Sequence, residues 1–222
     1  MRIFILILLL FNTSCESTEK SNFNFTLQKG DILFQDLDSS PLCDAIELVT
    51  PGYKNANLSH IGIIVETGSS TNEIRILEAI PNHVKTTRID SFLNRSFDKR
   101  KNPKVIVGRL KEEYRHSILE AINFLTKKIG EKYDDAFLLN NDSYYCSELI
   151  YEAFLKDSIF ELNNMTFLNP QNNDTLEVWK EYYKKLEISI PQNEKGINPG
   201  IMSLSEKIEI IHYYGMPSGM RK

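Results

Sequence analysis

The stretch Asp142-Ser-Tyr-Tyr-Cys-Ser-Glu-Leu-Ile-Tyr-Glu-Ala-Phe154 constrains this chain more than any other, because it sets a cysteine where a polar loop turns into an apolar-periodic helix. Leu149, Ile150, Ala153 and Phe154 recur at the spacing of one buried helical face, and Asp142 or Ser143 is placed to cap it. Cys146 then falls in the first turn. There, unpaired backbone N–H groups and the positive end of the helix dipole favour a thiolate, the reactive form of sulfur. A free cysteine is more often an inert core residue. A reactive one needs a base and a group that orients the base.

A hairpin supplies both. Ser59-His-Ile-Gly-Ile-Ile-Val65 and Ile74-Arg-Ile-Leu-Glu-Ala-Ile80 read as strands from their β-branched content, and Thr67 to Asn72 has turn composition. If the pairing centres on Ser69, Ile64 faces Ile74, Gly62 faces Ile76 and His60 faces Glu78, all on one side of the sheet. A slip of one residue would separate the imidazole from the carboxylate. Glu66 is a poorer partner, since six residues of strand place it roughly 20 Å from His60. His83 belongs to a loop and His116 to the exposed start of a helix over Glu112 to Lys128. Cys146 is thus the candidate nucleophile, His60 its base and Glu78 the orienting group, with N–H groups at the helix start, that of Cys146 included, available to an oxyanion.

The remaining elements alternate without a repeat. Phe25 to Phe34 reads as an opening strand bent at Lys29-Gly30-Asp31, and Ser40-Pro41 opens a short helix through Leu48 on which Cys43 is structural. Val84 to Ile89 reads as extended, Asp90 to Lys101 as polar with a helical turn, and Lys104 to Leu110 and Ile208 to Tyr214 as strands. Thr175 to Leu186 reads as a helix with Trp179 as packing, and Asn163 to Asn173 as a surface lobe that shapes a cleft.

The charge balance excludes one class of partner. A net charge of −4 without a basic block lacks the footprint of a nucleic-acid binder. Three cysteines, Cys15, Cys43 and Cys146, make no disulfide framework, and no Cys-x-x-Cys or His-x-x-x-His pair calls for a metal or another cofactor. Arg2, the apolar run Ile3 to Phe11 and the polar exit Asn12-Thr13-Ser14 read as a targeting segment too short to span a bilayer. Because Cys15 follows directly, residues 1–14 resemble a bacterial lipoprotein signal, although Asn12 stands where such signals prefer Leu. This reading predicts a lipid anchor on Cys15, a polar tether over 15–24, a single domain over 25–222, and a membrane-attached place in the cell envelope outside the cytoplasm. A plain secretory signal is the alternative.

Taken together, Gly30-Asp-Ile, Ser59-His-Ile-Gly-Ile, Leu77-Glu-Ala, Gly130 with Tyr133-Asp134, and Tyr145-Cys-Ser-Glu-Leu-Ile150 with Ala153 resemble the YiiX-like, circularly permuted branch of the NlpC-type papain-like cysteine peptidases and amidases. In that branch the histidine strand precedes the cysteine helix, as it does here. The resemblance runs from about Phe25 to Tyr214 and implies an α+β, papain-like fold, an antiparallel sheet or half-barrel packed against the helix that carries the cysteine. It also implies Cys146 as nucleophile, His60 as base and Glu78 as orienting residue. Tyr145 matches an active-site tyrosine neighbour, with Tyr144 as the competing choice, and Asp31 matches a recurrent position of structural or substrate-contacting role. The expected activity is hydrolysis of an amide in a cell-wall peptide through a thioester acyl-enzyme. The rival is a lipid acyl or amide substrate for the same triad, as in the lecithin retinol acyltransferase-like enzymes of that superfamily. A third expectation is a catalytically silent binding module. Long apolar cleft walls would favour the lipid.

Overall fold

The structure, a computed structural model, describes residues 25–221. The targeting segment, Cys15 and the whole of the tether therefore lie outside the described residues. No described helix is long and apolar enough to cross a membrane. In chain order the elements are β1 (Ile32–Gln35), α1 (Pro41–Val49), β2 (His60–Glu66), β3 (Arg75–Ile80), β4 (His83–Arg88), α2 (Ile89–Leu93) and β5 (Val105–Leu110). There follow α3 (Ile118–Lys127), α4 (Cys146–Ala153), β6 (Asn163–Asn164), α5 (Glu177–Leu186), β7 (Lys195–Gly196), α6 (Pro199–Met202) and β8 (Ile208–Tyr213).

Six strands form one open sheet in the order β4-β3-β2-β1-β5-β8, with every neighbouring pair antiparallel. This is the α+β, papain-like arrangement expected, as an open sheet and not a closed barrel. Both faces are covered, which is why β2 reads as a continuous apolar run instead of alternating. Ile61, Ile63, Leu77 and Ala79 share a core with Leu149 and Ile150 of α4 and with Phe154, which caps its end. Leu33, Ile64, Ile76 and Val107 share a second core with Ile89 and Phe92 of α2. A third cluster, Ala45, Phe167, Trp179 and Tyr183, joins α1 to α5.

The register between β2 and β3 differs from the expected one by two residues. Ile63 pairs with Leu77 and Ile64 with Ile76, which carries Gly62 opposite Glu78 and His60 opposite Ile80. A bulge between Ile64 and Glu66 and a 3₁₀ turn over Thr71–Glu73 take up the difference. A slip of two preserves the face of every side chain, so His60 and Glu78 still share one side, as diagonal neighbours. Gly62 lies between them. A Cβ there would meet Ile76 Cγ2 at 2.5 Å and Phe92 Cε2 at 3.2 Å, so the close approach of β3 and α2 requires glycine.

Helix α4 also starts later than Asp142 or Ser143 would place it. Tyr144 donates its N–H to Lys132 O at 3.0 Å and accepts from Asp134 N at 3.2 Å, which keeps the chain extended up to Tyr145. Tyr145 takes the cap position, and Glu148 turns back to accept its N–H at 3.3 Å. Ser143 bonds instead to Asn141. Cys146 thereby becomes the first helical residue, where its N–H has no acceptor within the helix.

Candidate active site

The site lies on the rim of the sheet. β1 ends at Gln35, β2 begins opposite it at His60, and α4 begins beside them at Cys146. His60 is buried whereas His83 and His116 are exposed. His60 Nε2 is 2.6 Å from Glu78 Oε2, and Cys146 is near enough to the ring to raise its pKa. With Nε2 committed to the carboxylate, Nδ1 is the nitrogen left for the sulfur. Burial by itself would push the imidazole pKa down, but the hydrogen bonds to Cys146 and Glu78 and their charges raise it to about 9. His60 is therefore an imidazolium at neutral pH, held between a sulfur and a carboxylate. Cys43 and Cys146 are both free cysteines, in no disulfide.

Glu78 is fully buried and has more partners than the sequence suggested. Its Oε2 accepts from Arg95 Nη1 at 2.7 Å as well as from His60, and its Oε1 accepts from Arg95 Nη2 at 2.6 Å and from Thr87 Oγ1 at 2.5 Å. Burial opposes ionisation of this carboxyl, yet the Arg95 and His60 hydrogen bonds hold it well below the ordinary glutamate value. Neither Arg95 nor Thr87 was identified from sequence. Thr87 was within reach, since a short Pro81-Asn82 turn fixes β3 against β4 and sets Ile76 opposite Thr87 on the Glu78 face. Arg95 follows α2 in a stretch that reads as polar loop. It reaches Glu78 because Phe92, three residues earlier, is buried under the sheet, and its guanidinium stacks 4.9 Å from that ring.

Above the sulfur opens a cleft of about 690 Å³, its mouth included. Ile46 and Val49 of α1, Phe137, Met165, Phe167 and Ile197 form its apolar lining, Thr50, Asn163, Asn164 and Asn198 add neutral polar groups, and no charged side chain lines it. The segment Asn163 to Phe167 forms one side, as expected of a lobe that shapes the cleft. Trp179 both packs in the third cluster and lines the cleft. Of the two adjacent tyrosines, Tyr145 lines the cleft, while the Tyr144 ring packs under Lys128 Nζ at 4.7 Å and does not. Tyr133, which sequence reasoning placed only in a motif, also lines the cleft. Its burial and the neighbouring Cys146 charge push its phenol well above the ordinary tyrosine value, so it stays a neutral donor. Ser59 lines the wall beside Cys146 and donates to the buried Glu47 at 2.6 Å, a carboxyl that burial pushes up to about 7 against the lowering effect of that bond.

Asp31 stands apart from the cleft. Its carboxylate is buried, forms a two-point pair with Arg109 at 2.6 and 2.7 Å, and accepts the N–H of Gln28 at 2.7 Å. Gly30, at φ +88°, provides the turn that delivers it. Of the two roles left open for Asp31, this geometry is the structural one. Asp31→Asn is expected to lower the melting temperature by roughly 5–10 °C while changing the alkylation rate of Cys146 less than about twofold. A tenfold slower alkylation would tie Asp31 to the site after all.

The model of the permuted papain-like amidase family, YaeF/YiiX, C92, matches residues 26–212. The chain belongs to this family. Among solved structures, the fold is similar to the crystal structure of the metalloprotein yiiX from Escherichia coli O157:H7, with a TM-score of 0.67 and 21% identity over 87% of this chain and 100% of that one. No curated protein sequence matches the chain. Among the described residues, no group of three or more His, Cys, Asp or Glu side chains is placed to hold a metal ion. Membership of this family makes the chain an amidase-type hydrolase, and Cys146 is among the residues that line the cleft.

Proposed function

We propose that this amidase-family member attacks an acyl carbonyl with Cys146, using His60 as acid and base and Glu78 as the group that orients it, and that the acyl part of its substrate is apolar. In the first half-reaction the thiolate adds to the carbonyl carbon, and the oxyanion meets the free N–H of Cys146. Collapse breaks the C–N bond as His60 passes its proton to the departing amine. In the second half, neutral His60 takes a proton from water while the oxygen attacks the thioester. The C–S bond then breaks, the acid leaves, and the thiolate–imidazolium pair is restored.

The lining of the cleft carries the choice of substrate. Its exposed walls are mostly apolar, its polar side chains such as Asn163, Asn164 and Asn198 are neutral, and it contains no Asp, Glu, Lys or Arg. A cell-wall stem peptide, the substrate first expected, brings amine and carboxylate charges that would find no partner there. An alkyl chain would be removed from water along Ile46, Val49, Met165 and Phe167. A lipid anchor on Cys15 would keep this cleft beside the membrane, where such acyl groups are abundant.

The test compares octanoyl and acetyl amides of one amine with a peptidoglycan-derived tripeptide. Burial of even two or three methylenes, at about 0.8 kcal/mol each, predicts a kcat/KM at least about tenfold higher for the octanoyl amide than for the acetyl one. Equal rates for the two amides, or faster turnover of the tripeptide, would return the assignment to the peptide.

A further inference from the structure

The two residues that flank Cys146 in sequence grip the backbone of one residue of the cleft wall on both sides of its Cα. Tyr145 Oη accepts from Ile197 N at 3.2 Å, and Ser147 Oγ donates to Ile197 O at 3.0 Å. All three residues are buried. The Ile197 side chain meanwhile lines the cleft together with Gly196, Pro199 and Ile201. This stretch is pinned on its other side too. Asn198 Nδ2 donates to Thr50 Oγ1, and Thr50 in turn donates to Ile46 O at 2.9 Å on α1. The wall from 196 to 201 is therefore a strap running from the flanks of the nucleophile to the end of α1.

Two observations set this grip apart from ordinary packing. Both backbone polar groups of Ile197, one from each of two successive peptide units, are satisfied by side chains, where the β6–β7 pairing ends at Gly196 and offers no backbone partner. Both of those side chains also belong to residues adjacent to Cys146, so a displacement of Ile197 is passed to the backbone on either side of the nucleophile. A rigid wall matters here because errors of about 1 Å in the placement of a reacting group cost on the order of a hundredfold in rate.

We propose that Tyr145 and Ser147 are positioning residues: by holding the N–H and the C=O of Ile197 they fix the apolar wall relative to Cys146 Sγ, so that a chain lying on the wall presents its electrophilic carbon to the sulfur. The proposal rests on the apolar-acyl reading above. It gives Tyr145 a role distinct from an oxyanion donor, and it adds Ser147 as a residue that determines specificity for long acyl groups.

Alkylation of Cys146 by iodoacetamide and by N-hexyl iodoacetamide tests this without requiring turnover. The readout is the ratio of the two second-order rates. In the unaltered protein the hexyl reagent is expected to react about tenfold faster. Ser147→Ala and Tyr145→Phe are each expected to lower that ratio to about 2–3, and the double variant to about 1. Ser147→Thr, which keeps the hydroxyl, should keep the ratio. Tyr145→Phe preserves the ring packing and supplies the answer if Ser147→Ala does not fold. A double variant that retains the full ratio overturns the grip and leaves the apolar-acyl reading standing, as does a loss of both rates by one common factor. A ratio of 1 in the unaltered protein removes the apolar-acyl reading, and the proposal with it.

Discussion

Cys146→Ala is expected to lower turnover by at least about a thousandfold, the scale seen when a nucleophile is removed from a catalytic constellation. The same variant is expected to lower the pKa of His60. Burial pushes that pKa down, and the bond to Cys146 is the largest contribution that raises it to about 9. Without the sulfur, Glu78 alone must counter the burial. Titration of the His60 ring by NMR measures this directly, and an unchanged midpoint would show that imidazole and sulfur are not paired. The pH dependence follows with a definite sign. Because the folded pKa lies above the ordinary histidine value of about 6.5, the paired imidazolium stabilises the fold fully below that value. The contribution is lost as pH rises through about 9. Activity that depends on the imidazolium should fall along the same alkaline limb.

How far the sequence anticipates this site depends on what kind of information each residue carries. Cys146 and its helix are local signals, since a polar loop and a 3.6-residue apolar period are both read within a few turns. His60 and Glu78 need only parity. The expected hairpin register was off by two residues, yet the pair survives, because any even slip leaves both side chains on the same face. A long turn hides the count but cannot easily hide the face. The start of α4 was misplaced because the bonds that keep Tyr144 extended come from Lys132 and Asp134, outside the helix. Of the cleft, only the lobe after Asn163 was legible in sequence. Its walls come from α1, from the lobe around Asn163 to Phe167 and from the strap at Ile197, and only long-range packing brings those segments over the sulfur.

Arg95 is the residue whose absence from any sequence pattern matters most, and its replacement is the second large expected effect. Glu78 is fully buried, and Arg95 provides two of its four donated bonds from a side chain that is 24% exposed. In Arg95→Met the carboxylate would keep only His60 and Thr87, and removing one partner of a buried pair typically costs about 3–5 kcal/mol. For a chain of this length that is a fall in melting temperature of roughly 6–20 °C. The deficit should shrink with acid. Glu78 stabilises the fold above the ordinary glutamate value and loses that contribution as pH falls toward its depressed folded value, and a Glu78 deprived of Arg95 takes up its proton earlier. Melting curves at pH 7 and pH 4 check the trend. Glu78→Gln introduced into Arg95→Met separates charge from packing. If the loss comes from an uncompensated carboxylate, the second substitution restores part of the melting temperature, whereas lost contact between Arg95 and Phe92 would leave it unchanged. Because Arg95 does not line the cleft, its effect on catalysis is expected in kcat and not in KM. A change confined to KM would mean that the guanidinium serves the substrate and not the orientation of His60.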